Sequence, residues 1–217
     1  MKYYSYISNS KLDMLFPQIP RTFLEDIAGE LSVNFGLLKA TLKDKALTEN
    51  RLSKLDAVVK YIEKNSTFGT VDQPDTYIRG VANMYSVNFD EGMVLFCWCN
   101  EDLPDKNQYL LLSGSANHVI GMDLADMVYP HSITNMVTKR LHDIRDTQTE
   151  LENSLICENG FCSLDKQLTY LDDIKHWSRY REGPPQQFEY LARCLITENK
   201  GGDTIILATP IFMAMVG

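Results

Sequence analysis

Between Thr76 and Ser113 three segments of strand length follow one another with only short polar connections, and this limits the fold more narrowly than any other feature. Thr76 to Phe89 (TYIRGVANMYSVNF) sets Tyr77, Arg79, Val81, Asn83 and Tyr85 on one face against Ile78, Ala82 and Met84 on the other, which implies burial on both sides. Met93 to Cys99 (MVLFCWC) is an unbroken apolar run, and Gln108 to Ser113 (QYLLLS) returns as a further strand. The turns at Asp90-Glu91-Gly92 and Leu103 to Asn107 are too short for a parallel crossover, which needs about a dozen residues. The three strands are therefore an antiparallel meander.

The flanking segments supply more strands and the helices. Lys2 to Ser8 (KYYSYIS) reads as a first strand ending in the turn-prone Ser8-Asn9-Ser10. Pro17 and Pro20 block helix propagation after Leu12 to Phe16 and imply an extended linker. Arg21 to Leu31 carries Phe23, Leu24, Ile27 and Leu31 at helical spacing, and Val33 to Leu42 reads as a second strand through Val33, Phe35 and Leu37. Thr48 caps a helix over Glu49 to Lys64, whose Leu52, Leu55, Val58, Val59 and Ile62 form one stripe, and Gly69 to Asp75 is a loop. Helical spacing returns from Ser132 to Ile156, then over Leu164 to Arg181 with Ser163 as cap, and again over Gln186 to Asn199 after Gly183-Pro184-Pro185. Lys200-Gly201-Gly202-Asp203 turns into a last apolar strand, Thr204 to Met215, in which Pro210 implies an edge position or a bend. The expected fold class is α+β: one domain over residues 1–217, with a mainly antiparallel central sheet built from the three-strand meander and the N- and C-terminal strands. Helices cover the sheet, among them a helical segment over about residues 132–199.

Charge and cysteines bound the setting. Asp and Glu number 29 against 21 Lys and Arg, a formal charge of −8 that repels polyanions, so long nucleic acids are not expected as partners. Lys175, His176, Arg179 and Arg181 lie beside Asp172, Asp173 and Glu182 and read as a mixed-charge helix face. Five cysteines at irregular spacing suit a reducing compartment, and Cys157 and Cys162 are expected as free thiols. No basic-then-apolar leader opens the chain, and no run of about 18 apolar residues occurs, so a cytoplasmic protein without membrane insertion is expected.

Several constellations bear on chemistry. Ser113-Gly114-Ser115-Ala116-Asn117-His118 ends an apolar strand, where glycine admits close backbone approach and Ser113, Ser115, Asn117 and His118 offer groups to a phosphate or carboxylate. No Lys follows the glycine as in a P-loop. Ser113 or Ser115 with His118 and an acid such as Asp123 or Asp126 would suit nucleophilic catalysis, although the nucleophile-elbow pattern is missing. Cys97, Cys99, His118 and His131 match no common zinc spacing, and no metal or cofactor is expected. Ser8, Asn9, Ser10, Lys11 and Asp13, with Gln18 and Arg21, form a polar N-terminal loop in which Lys11 and Arg21 can neutralise an anion. Arg79 sits mid-strand, where a buried guanidinium requires a carboxylate or an anionic ligand. Tyr3, Tyr4, Tyr6, Tyr77 and Tyr85 lie on strands, as core filling or as aromatic faces for a partner.

Three stretches carry a family likeness: KYYSYISNSKLDMLFPQIP at Lys2 to Pro20, LLSGSANHVIG at Leu111 to Gly121, and TPIFMA at Thr209 to Ala214. Through them the chain resembles an uncharacterised bacterial family of unknown function. The resemblance implies a bacterial or phage-related setting and no activity or site residue. In the expected fold the three stretches are two terminal strands and the end of the central hairpin, so one place can gather them. The reading that emerges is a small-ligand binding or sensor protein for a nucleotide-like or other anionic ligand, with Ser8, Lys11, Arg79, Ser113, Gly114, Ser115, Asn117 and His118 as contacts, acting as a homo-oligomer. The alternatives are a hydrolase or phosphodiesterase using His118 with Ser113 or Ser115, and a protein–protein interaction module. The sequence leaves open whether there is any catalysis.

Overall fold

The structure, a computed structural model, describes residues 2–30, 51–89, 92–101, 106–121 and 170–217. In chain order its elements are β1 (Tyr3–Ile7), α1 (Asn9–Leu15), a 3-10 turn (Phe16–Gln18), α2 (Arg21–Glu30), α3 (Arg51–Asn65) and β2 (Phe68–Gly69). Then come β3 (Tyr77–Phe89), β4 (Met93–Asn100), β5 (Gln108–Ser115), a second 3-10 turn (Ala116–His118), α4 (Tyr170–Ser178), β6 (Gln186–Lys200) and β7 (Asp203–Met215). The expected strand at Val33 to Leu42, the Thr48 cap, the helix from Ser132 to Ile156 and the Ser163 cap lie outside the described residues.

The meander β3–β4–β5 pairs antiparallel as its short turns require, with Tyr85 opposite Cys97 and Phe96 opposite Leu112. β5 then pairs with β7 in parallel, β7 with β6 antiparallel, and β6 with β3 antiparallel. That circuit closes a five-stranded barrel, to which β1 adds along β7 and β2 adds in parallel along β3. Most pairings are antiparallel as expected, but the parallel pairs β5–β7 and β2–β3 make the sheet mixed, and its closure makes it barrel-like. Closure removes sheet edges that would otherwise invite pairing with other chains.

Strand alternation sorts the side chains into three cores. Ile78, Met84, Phe96, Leu110, Leu112, Phe188, Tyr190 and Ile206 point inward and fill the barrel, as expected for so few strands. Outward residues Ile7, Leu191, Ile211 and Phe212 are covered by Leu12 of α1, Phe23 and Ile27 of α2, and Leu55, Val58 and Ile62 of α3. Leu95, Cys97, Leu111, Ile205 and Leu207 are covered by Leu171, Ile174 and Trp177 of α4. Each such large side chain contributes about 1.5–3 kcal/mol on burial.

Three expectations are corrected, and the bend at Pro210 is located. Gln186 to Asn199 is a strand, β6, and not a helix. Pro17 to Pro20 is not an extended linker throughout: α1 runs to Leu15, and Pro17 sits at the start of a 3-10 turn over Phe16–Gln18, where its missing N–H leaves no bond unmade. Arg79, Val81 and Asn83 are exposed, so β3 is buried on one face there. Pro210 lies in a central strand, where Ala192 opposite Pro210 follows Leu191 opposite Phe212 and leaves Ile211 as an extra residue. The bend expected at Pro210 is that bulge. Among the described residues no helix is long and apolar enough to cross a membrane.

Candidate functional site

The three stretches that carry the family likeness meet at β1. On one side β1 pairs with Phe212 to Met215 of β7, and the backbone N–H of Ser8 donates to the Ile211 carbonyl at 2.9 Å. On the other, Tyr6 bridges Val119, and the N–H of Ile120 donates to the Ser5 carbonyl at 2.8 Å. Arg51, the first described residue of α3, locks this junction: its Nη2 donates to the carbonyl of Ile7 and, at 3.3 Å, to that of His118.

Around the junction the side chains form one polar cluster. Ser8 ends β1 and is fully buried, and Ser10 and Lys11 follow in the first turn of α1. Lys11 Nζ donates to Ser8 Oγ at 3.3 Å, Ser8 Oγ lies 3.3 Å from Ser10 Oγ, and Ser10 Oγ lies 3.2 Å from His118 Nε2. The Tyr6 ring stands edge-on to the His118 ring at 5.9 Å. Asp13 faces the cluster but is held by Lys54 at 2.8 Å. Two buried polar atoms here have no hydrogen-bond partner among the described residues: Arg51 Nε and His118 Nδ1.

The electrostatics follow from burying cations together. Burial, and then the charges of Lys11 and Arg51, push the His118 imidazole down to about 4 against the opposing pull of Asp13, so the ring is neutral at pH 7. Burial, with Arg193 adding repulsion, brings the Lys11 ammonium down to about 8, and burial lowers Arg51 as well. Burial raises the Tyr6 phenol far above its ordinary range. Such a cluster stabilises negative charge brought to it, and in the low dielectric of a half-buried rim each contact is stronger than in water.

Of the residues expected at a site, Ser8, Lys11 and His118 are brought together here. Ser115 precedes the turn that carries His118, and Asn117 is exposed on that turn. Gly114 faces the barrel interior, where a Cβ would overlap the Tyr6 hydroxyl and ring, so its lack of a side chain admits that ring. Ser113 points away from the cluster, its Oγ bonded to Met93 Sδ at 3.1 Å and buried. Arg79 is elsewhere: its guanidinium, 45% exposed, pairs with Glu63 at 2.6 Å and Glu189 at 3.2 Å. Sequence reasoning overlooked Arg51, named Tyr6 only among the strand tyrosines and did not pair Ser10 with His118. One signal was available for Arg51, since in the helix expected after a Thr48 cap it is a cation in the first turn, which opposes the helix dipole and favours another partner.

The other constellations resolve into packing. Cys97 lies under α4, its thiol pushed up to about 12 by burial, and Cys99 Sγ accepts from Arg181. Among the described residues no three His, Cys, Asp or Glu side chains are gathered as for a metal ion, and His131 lies outside them. The basic residues around α4 are engaged in pairs: Lys175 with Asp203 at 2.6 Å, Arg179 with Glu101 at 2.6 Å, and Arg181 over the Tyr85 ring.

A family model matches residues 2–217, almost the entire chain. The chain belongs to DUF7019, a family of unknown function. No curated protein and no solved structure matches it. Membership of DUF7019 assigns no chemistry, so the site stands on the arrangement of Ser8, Ser10, Lys11, Arg51 and His118.

Proposed function

We propose that the protein binds a small anionic ligand, nucleotide-like or other, at the Ser8–Ser10–Lys11–Arg51–His118 cluster, and that it works as a binding or sensor protein. The observation that carries this reading is the half-buried pair Lys11 and Arg51, set beside two serine hydroxyls and a neutral His118, with no carboxylate joined to either cation among the described residues. Both cations disfavour charge on His118, and an anion brought to them reverses the field at that ring. The chain's net charge of −8 repels long polyanions, whereas a small anion meets the local positive field of the cluster. Thermal unfolding in low-chloride buffer tests it, with phosphate, nucleotides, cyclic nucleotides and carboxylates added singly. Stabilisation by an anion that disappears in Lys11→Met supports the reading, and no shift with any of them sinks it. A cytoplasmic, bacterial setting and a homo-oligomeric state belong to the same proposal, and light scattering on the purified protein reads the oligomer.

A second reading, a hydrolase or phosphodiesterase, is favoured by one contact: Ser10 Oγ lies 3.2 Å from His118 Nε2, as a nucleophile and its base would. In this arrangement Ser10 takes the place expected for Ser113 or Ser115. Labelling by a fluorophosphonate on Ser10, lost in His118→Ala, supports it, and an unlabelled Ser10 removes it.

A further inference from the structure

The donor set at this rim is larger and more charged than a carboxylate can use. Two hydroxyls, an ammonium, a guanidinium and an imidazole converge from separate elements: Ser8 at the end of β1, Ser10 and Lys11 on α1, Arg51 on α3, and His118 on the turn after β5. A carboxylate offers two coplanar oxygens and one negative charge, whereas a phosphate group offers three or more oxygens in a tetrahedron and a charge near −2 at neutral pH. Lys11 and Arg51 supply two positive charges, and Asp13 is drawn off by Lys54. We propose that the cluster is a site for a tetrahedral oxyanion, a phosphate or phosphomonoester dianion, and that His118 takes up a proton when the anion binds. The proposal rests on the anionic-ligand reading above.

The groups facing His118 explain the proton. Tyr6 of β1 lies edge-on to the ring, Ser10 meets Nε2, Lys11 and Asp13 face it from α1, and Arg51 faces it from α3, while Arg193 of β6 acts on Lys11. In the free protein the two cations disfavour an imidazolium, and in the tautomer protonated at Nδ1 the neutral ring's Nε2 accepts a hydrogen bond from the Ser10 hydroxyl. His118 Nδ1 is buried with no partner among the described residues. A dianion between Lys11 and Arg51 reverses the field at the ring. His118 Nε2 then carries a proton, and Ser10 is released to donate its hydroxyl to the anion. Binding and proton uptake are linked, so the site binds its anion more tightly as the pH falls from about 7 to about 5.

Titration calorimetry with sodium sulfate tests this cleanly, because sulfate is a tetrahedral dianion that does not itself titrate in this range. Measured near pH 5.5 and pH 7.0 in two buffers of different ionisation heat, sulfate is expected to bind with proton uptake at the lower pH. The affinity gain is several-fold, and about tenfold per pH unit is its ceiling. In His118→Gln the dependence on pH in this window is expected to vanish. Inorganic phosphate and a nucleoside 5′-monophosphate then separate the two sources of the same chemistry: tighter binding of the ester marks a phosphomonoester site, and equal binding marks a free-phosphate site. If folding of His118→Gln is impaired, NMR titration of the His118 ring in the unmodified protein, with and without sulfate, gives the same answer. Sulfate and phosphate binding no more tightly than acetate, or binding without proton uptake, overturns this proposal and leaves the anionic-ligand reading standing. No binding of any anion, acetate and citrate included, overturns both.

Discussion

Lys11→Met is expected to stabilise the ligand-free protein while removing its response to anions, a pairing that a purely structural lysine would not give. The Lys11 ammonium is lowered from 10.5 to about 8, chiefly by burial. The folded state therefore holds this proton less tightly than the unfolded chain. The penalty is fully present below about pH 8, and stability recovers as the pH rises toward 10.5. At about 1.4 kcal/mol for each pH unit the ceiling is about 3 kcal/mol. Solvent screening at a half-buried ammonium reduces this to about 1–2 kcal/mol. Methionine keeps the packing of the aliphatic stem, and loss of the long hydrogen bond to Ser8 returns about 0.5 kcal/mol. Lys11→Met should therefore be more stable by about 1 kcal/mol at pH 7 in low-salt buffer, with the difference closing by about pH 10. Urea unfolding midpoints at the two pH values measure it. In sulfate at about a hundred times its Kd the order inverts, because the unmodified protein gains about 2.7 kcal/mol and the variant does not. A variant destabilised by more than about 1 kcal/mol at pH 7, with a gap that pH does not change, would refute the reasoning.

His118 gives the acid-side counterpart. Its folded pKa is depressed from 6.5 to about 4, so its contribution is fully present above about pH 6.5 and is lost as the pH falls through that window. After discounting for partial exposure the loss is about 1–2 kcal/mol, and His118→Gln should remove it from a plot of urea stability against pH; identical acid limbs would count against the burial argument. Gly114→Ala places a methyl group against the buried Tyr6 ring and should cost about 1–3 kcal/mol by thermal unfolding, part of it recovered in a Tyr6→Phe background. A cost below about 0.5 kcal/mol would mean that the ring moves freely. Arg79→Gln breaks two exposed ion pairs, should lower stability by no more than about 1 kcal/mol and should leave sulfate affinity unchanged; a fall in affinity would return Arg79 to the site.

The meander was legible because its strands are contiguous and its turns short, and those two facts alone determine antiparallel pairing of β3, β4 and β5. The closure of the barrel was not, because β5 and β7 pair in parallel from Gln108–Thr204 to Leu112–Ala208, across a long stretch of chain with no local signature. β6 read as helix for a physical reason. Phe188, Tyr190 and Ala192 face the barrel interior while Leu191, Leu195 and Ile196 pack on its outer face, so apolar residues fall on both sides and the two-residue period is erased. A bulge between Cys194 and Ile196 shifts the phase again. The contrary signal lay at Gly201 and Gly202: φ is 62° and 91°, the positive values that a two-residue hairpin turn of type I′ needs at both positions, and such a turn demands a strand on each side. At the site, Ser8, Lys11 and His118 were legible as polar residues at strand ends. The link between them was not, since Ser10 and His118 lie 108 residues apart and only the pairing of β1 with Val119 brings them together.

The polar cluster forms where β7 changes partners. β7 pairs with β5 as far as Ala208 and with β1 from Ile7–Phe212 onward, and Pro210, with no N–H to offer, lies in the interval. The bulge at Ile211 switches the strand's parity there. Ile206 and Ala208 face the barrel interior before it, whereas Phe212 and Ala214 turn outward beneath the helices after it, with Met213 taking the inward place. Where β5 and β1 part, the end of the barrel is closed by the Tyr6 ring over Gly114, by the turn bearing His118 and by the first turn of α1. Phe96, Phe188 and Tyr190 point into the barrel and are buried to 3% exposure or less. The proposed anion site lies at this end of the barrel, where Ser8, Ser10, Lys11 and His118 meet. A substitution that lets β7 run straight at Pro210 would shift Phe212 and Met213 to opposite faces and dismantle the rim before it emptied the core.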